Sequence, residues 1–239
     1  METTNALFAV QRASDRAYFD HGWLKTYHSF SFADYRDPKN VNWGVLRVFN
    51  DDRVAPGQGF PMHPHRDMEI LTYVLAGELE HQDSMGNRGV VGPGGVQYMS
   101  AGTGVRHSEA NHSRESALHF VQTWVVPSKA GIAPRYGQKD FSVDDRRNRW
   151  LHVASGVAGS DAPIQLNQSA EFFVARLEGT TAAHVFAPGR LGFLFVADGG
   201  VQANGAALSA GDAVRMAATD RLDVSGTAEL LLWDLAPAN

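Results

Sequence analysis

Residues 60–87 read FPMHPHRDMEILTYVLAGELEHQDSMGN, and this stretch decides the fold. Its centre, Met68 to Leu75, is β-branched and aromatic, Gly77 stops it, Glu78 to Asp83 resumes, and Met85 to Arg88 turns again. Short apolar runs closed by Gly, Pro, Asn and Asp are the signature of strands joined by tight turns. Working outward, the same grammar recurs at Gly95–Ser100, Leu118–Val126, Glu171–Leu177, Leu191–Ala197, Ala213–Met216 and Glu229–Leu235. No window of twelve or more residues carries a convincing 3.6-residue period. The expectation is an all-β chain built as a sandwich or barrel.

The chain has 239 residues, enough for one large or two small domains and for a core that needs no staple. Pro127–Pro134 interrupts the strands, and the charge run Asp144–Arg149 reads as a solvated connector. A boundary there gives domains 1–143 and 144–239. Gly57, Gly77 and Pro93-Gly-Gly in the first half are echoed by residues 188–200 and 208–214 in the second, the pattern of an internally duplicated unit. The formal charge of −5 argues against nucleic acid or an anionic membrane as partner. No stretch approaches the ~18 apolar residues of a membrane span, and the N-terminus reads as no secretory signal, so a cytoplasmic protein is expected. The absence of cysteine removes thiolate metal sites, disulfides and cysteine nucleophiles together.

Any metal site must therefore come from His, Asp and Glu. His63-Pro-His65 and His107-Ser-Glu109 each place two ligand-type residues at i and i+2, on one face of a strand. On neighbouring strands they would supply three imidazoles and a carboxylate, a set suited to Fe, Cu, Ni or Mn that leaves coordination positions open. The second pair sits in a stretch where Gly102 and Gly104 let the backbone pass close to a site. The remaining histidines read as structure: His21 and His28 as satisfied internal residues, His81 with Asp83 and His112 as surface polarity. His119, on an alternating strand near Gln122, is a minor pocket candidate, and Arg66 and Arg106 should point away from the ligands beside them.

Gly57, His63-x-His65, Glu69 and Gly77 resemble the first cupin motif. Residues 60–87 and 99–109 (MSAGTGVRHSE) resemble the pirin family more closely, as do 21–35 (HGWLKTYHSFSFADY), 45–52 (VLRVFNDD) and 131–138 (GIAPRYGQ). That resemblance implies a bicupin, two jelly-roll-like β-barrel domains facing each other in one chain. It implies one divalent metal held by His63, His65, His107 and Glu109, with Fe(II) expected and Cu, Ni, Mn or Zn accepted by the same ligands. Glu69 then becomes a hydrogen-bonding neighbour of the site. The C-terminal half, where His184 is the only histidine beyond His152, becomes a degenerate cupin without metal. Activity of the quercetin 2,3-dioxygenase type is implied: an oxidoreductase that opens a flavonol with O2 and releases CO, with Glu109 taking the proton of the 3-hydroxyl. The alternative carried by the same family is a non-enzymatic metal-binding regulator of a protein partner.

Overall fold

The computed structural model describes residues 7–238. After β1 (Leu7–Gln11) come β2 (Ala17–Asp20), β3 (Leu24–His28), β4 (Leu46–Val54), β5 (Gly59–His65), β6 (Glu69–Ala76), β7 (Leu79–Asp83), β8 (Arg88–Val91), β9 (Val96–Ser100), β10 (Val105–Asn111), β11 (Leu118–Val125) and β12 (Arg135–Lys139). A single helical turn, α1 (Val143–Arg146), leads to β13 (Leu151–Ser155), β14 (Ile164–Gln165), β15 (Ala170–Val185), β16 (Leu191–Ala203), β17 (Ala206–Ser209), β18 (Ala213–Ala217) and β19 (Arg221–Leu235).

The chain forms two compact units. One is Ala17–Asn42 with Leu46–Phe141; the other runs from Ser142 onward and takes in Trp43–Val45 and the N-terminal segment through Arg16. These are not two contiguous pieces cut near residue 144. β1 pairs antiparallel with β18, Leu7 opposite Ala217 and Gln11 opposite Ala213. Asp212 secures the chain just beyond β1 by accepting from the Ala13 amide and from Arg12, both at 2.8 Å.

In the first unit a seven-stranded sheet of order β12-β9-β6-β11-β4-β3-β2 accompanies a four-stranded sheet of order β5-β10-β7-β8. Its core has one cluster around Leu24, Val54, Val74, Leu79, Leu118 and Phe120 and a smaller one of Ile70, Met99 and Val105. The alternation is plain on β10, where Val105, His107, Glu109 and Asn111 are buried and the residues between them are not.

The second unit is an eight-stranded sheet in which β15, β16 and β19 are 16, 13 and 15 residues long. The sequence breaks each of these strands at glycine, but the structure bends them through. The ladder slips between Glu178 and Thr180, where Gly179 (φ +67°) is the extra residue of a bulge. The charge run also departs from a solvated connector. Arg146 is buried and donates through Nε to Glu229 Oε1 at 2.8 Å, on β19.

Candidate metal centre and its cavity

β5 and β10 lie antiparallel with His107 opposite His63 and Val105 opposite His65, so both same-face pairs turn to one side. His63, His65 and His107 gather there, with ring centroids 4.5–4.8 Å apart and the Nε2 atoms of His63 and His107 at 3.0 Å. The Pro61 carbonyl, 2.8 Å from His63 Nδ1, can only accept; it holds the proton on Nδ1 and leaves the Nε2 lone pair facing the cluster. Burial, with the neighbouring imidazoles adding, lowers His65 and His107 to about 3, so both rings are neutral donors at ordinary pH.

Glu109, two residues beyond His107, is buried. Trp124 Nε1 donates to Gln122 Oε1 at 3.0 Å, which turns the amide so that Gln122 Nε2 donates to Glu109 Oε2 at 2.8 Å. Burial pushes the Glu109 carboxyl above the usual carboxylate range, while Gln122, His81 and His63 pull it back. The bulge between His107 and Glu109, which sets Phe60 opposite Glu109, re-aims the second half of β10.

Among the described residues, two groupings of ligand atoms lie within 4.8 Å: His63 with His65 and His107, and His81 with His107 and Glu109. His81 is thus no surface residue, and neither is Asp83; both are buried on β7. Gln97 Nε2 lies 2.9 Å from His81 Nδ1, and the Tyr136 ring stacks on the imidazole at 4.5 Å. The signal was parity: His81 and Asp83 share the parity of Leu79, and all three are buried. Glu69 has the opposite parity to Thr72, whose hydroxyl receives Gln122 Nε2, and so faces the other side of the sheet. There it accepts from Tyr98 at 2.6 Å, and it belongs to neither grouping. His119 pairs with Asp51 at 2.7 Å and does not line the cavity, whereas Arg66 and Arg106 are exposed. His112 is exposed on Glu80, and His184 bonds Asp234 in the second unit.

The cluster opens into a cavity of about 340 Å³ whose walls include Leu24, Phe32, Phe60, Pro61 and Trp124, within the range of small-molecule sites. His21 and His28 also line it, so neither is simply internal structure.

Residues 9–125 match the family model described as Pirin, and residues 157–235 match the one described as Quercetinase C-terminal cupin domain. A pirin-like protein of Caulobacter vibrioides is 44% identical over 220 residues, covering 91% of this chain and 94% of the relative. The chain belongs to the pirin family. Quercetin 2,3-dioxygenase of Escherichia coli K12 is 41% identical over 231 residues, covering 95% and 98% of the two chains. The solved structure of bacterial pirin YhhW from Escherichia coli in complex with nickel(II) superposes with TM-score 0.90 at 40% identity, covering 97% of this chain and all of that one. The architecture is that of a bicupin, as the family resemblance implied. Among the described residues no helix is long and apolar enough to cross a membrane.

Proposed function

We propose that this pirin is a metal-dependent dioxygenase acting on flavonols such as quercetin, with CO as one product. The observation that carries this is a pair of overlapping ligand groups, His63, His65 and His107 and then His81, His107 and Glu109, beside an aromatic-walled cavity. The relative from Escherichia coli K12 that carries the dioxygenase name supports it. The donor set fits one divalent ion: two imidazoles held neutral by burial, a third with its lone pair directed by Pro61, and a carboxylate fixed by Gln122. His63, His65, His107 and Glu109 would hold it, with Fe(II) or Ni(II) as first candidates, the latter because YhhW was solved with nickel(II). When bound, the ion would supply a shared electronic path between a flavonolate and O2, which otherwise react slowly.

The chain's own residues do the rest. Trp124, Phe32 and Phe60 offer flat apolar surface to a ring system and exclude water. Glu109, its basicity raised by burial, accepts the 3-hydroxyl proton, and Gln122 keeps that carboxylate aimed.

The test is aerobic quercetin turnover with CO detection, using metal-stripped protein, protein reloaded with Fe(II), Cu(II), Ni(II) or Mn(II), and the His63→Ala/His107→Ala double variant. Metal-dependent CO release that the double variant loses is the expected result. Stoichiometric metal without CO under any loading overturns the dioxygenase reading. For Glu109→Gln the expectation is a fall in turnover of at least about 100-fold with metal content reduced far less. Equal losses of both would leave Glu109 as a ligand only.

A further inference from the structure

The inner face of the seven-stranded sheet carries an unbroken polar row. His28 on β3 lies opposite Asn50 on β4, Asn50 opposite Gln122 on β11, Gln122 opposite Thr72 on β6, and Thr72 opposite Gln97 on β9. Three of the five are committed: Gln122 and Thr72 address Glu109, and Gln97 holds His81. The other two are not, and Asp52, two residues beyond Asn50, shares their face. His28 Nδ1 and Asn50 Oδ1 are buried without a hydrogen-bond partner among the described residues, Asp52 has only the Thr26 hydroxyl opposite it, and all three side chains line the cavity. Their residues are only 4%, 3% and 4% exposed. A buried polar atom left unpaired costs about 1–3 kcal/mol, and such atoms gathered along neighbouring strands at a cavity describe a surface that a ligand completes.

The chemistry of that ligand follows from the atoms. Asn50 Oδ1 and Asp52 Oδ1 are acceptors, so the ligand brings donors there, and the neutral His28 ring serves a hydroxyl in either role. Strand spacing of about 4.8 Å sets Asn50 one strand and His28 two strands beyond Gln122, the residue on Glu109. A flat molecule that reaches the ligand cluster with one end would therefore meet this wall with another part of its ring system. Burial holds the Asp52 carboxyl at about 7, so near neutrality it is available both to accept from a hydroxyl and, when protonated, to donate to one.

We infer that His28, Asn50 and Asp52 form a specificity wall that binds ring hydroxyls of the substrate other than the one addressed by Glu109, and so select polyhydroxylated over bare aromatic ligands. This deepens the proposed function and rests on an aromatic substrate occupying the cavity.

Anaerobic equilibrium binding tests it, because binding is read without turnover. Metal-loaded protein is titrated calorimetrically with quercetin and with 3-hydroxyflavone, which keeps the chelating oxygens and lacks the other hydroxyls. The wild type should prefer quercetin at least about tenfold. In Asn50→Leu/Asp52→Leu that preference should fall to within about twofold with 3-hydroxyflavone affinity held. Asp52→Asn, which is isosteric, and Asn50→Ser, which is smaller but polar, both checked by circular dichroism, should each show part of the effect if the double variant folds poorly. Equal wild-type affinity for the two compounds, equal weakening of both in the variants, or binding of neither overturns the wall. The two readings fail separately. A quercetin preference that the wall variants abolish, without aerobic CO release, keeps the wall and removes the dioxygenase; CO release with no preference does the reverse.

Discussion

Trp124, Gln122 and Glu109 form a relay of fixed hydrogen bonds in which each group leaves the next a single role. The four residues proposed to hold metal were legible in the sequence because the strand period alone puts i and i+2 on one face, and both pairs obey it. The polar wall was not. His28, Asn50 and Asp52 become neighbours only through the β3–β4 register, and the 17 residues between those strands (29–45) give no local hint of that pairing. Asp52 also bears a pH prediction. Burial raises its folded pKa to about 7 from an ordinary 3.8, so the folded state keeps a proton that the unfolded chain releases. Its contribution to stability is fully present below about pH 4 and is lost as the pH rises to 7, by up to roughly 4 kcal/mol. Asp52→Asn should therefore match the wild type in melting temperature near pH 4 and exceed it by several degrees at pH 8, as read by calorimetry on metal-free protein. A constant difference across that range would show that Asp52 ionises normally.

At the scale of elements, the runs that the sequence names in the first unit hold to within a residue or so as β6, β7, β9 and β11, and a glycine does stop one of them: Gly77, at φ +79°, ends β6 before β7 begins. In the second unit the same residue type has the opposite use. Gly199, at φ +77°, lies within β16, and a Cβ there would run into the Thr227 carbonyl of β19. A turn and a bulge both ask for a left-handed residue, so sequence alone does not separate them. Gly199→Ala should destabilise the protein by about 2 kcal/mol or more while leaving metal stoichiometry unchanged, measured by urea unfolding and metal analysis. The run 144–149 misleads for a related reason, since charge density says nothing of a partner 83 residues away. Arg146→Ala removes the short partner of the buried Glu229 carboxylate, leaving Arg176 at 3.8 Å, and should cost up to about 3–5 kcal/mol, whereas removing both groups as Arg146→Met/Glu229→Leu should recover most of it.

For the whole molecule, the two-domain plan is visible in the repeated glycine pattern, but the traffic of the chain between the domains is not. β1 is a short stretch, LFAVQ, and nothing in it names β18 as its partner. Deleting residues 1–12 uncovers the β18 edge and removes the Arg12 partner of Asp212. The truncated protein should melt several degrees lower and self-associate on size-exclusion chromatography, since an uncovered strand edge is a template for pairing. Its metal content should persist, because the ligand cluster belongs wholly to the other unit. The placement of β1 also has a consequence in time. Leu7 pairs with Ala217, a residue made about 200 positions later. At the usual ribosomal pace of about 5–20 residues per second, β1 waits roughly 10–40 s for its neighbour. Through that interval the intervening cupin can close and fill its core, so β1 is made long before its partner and is among the last strands to be paired.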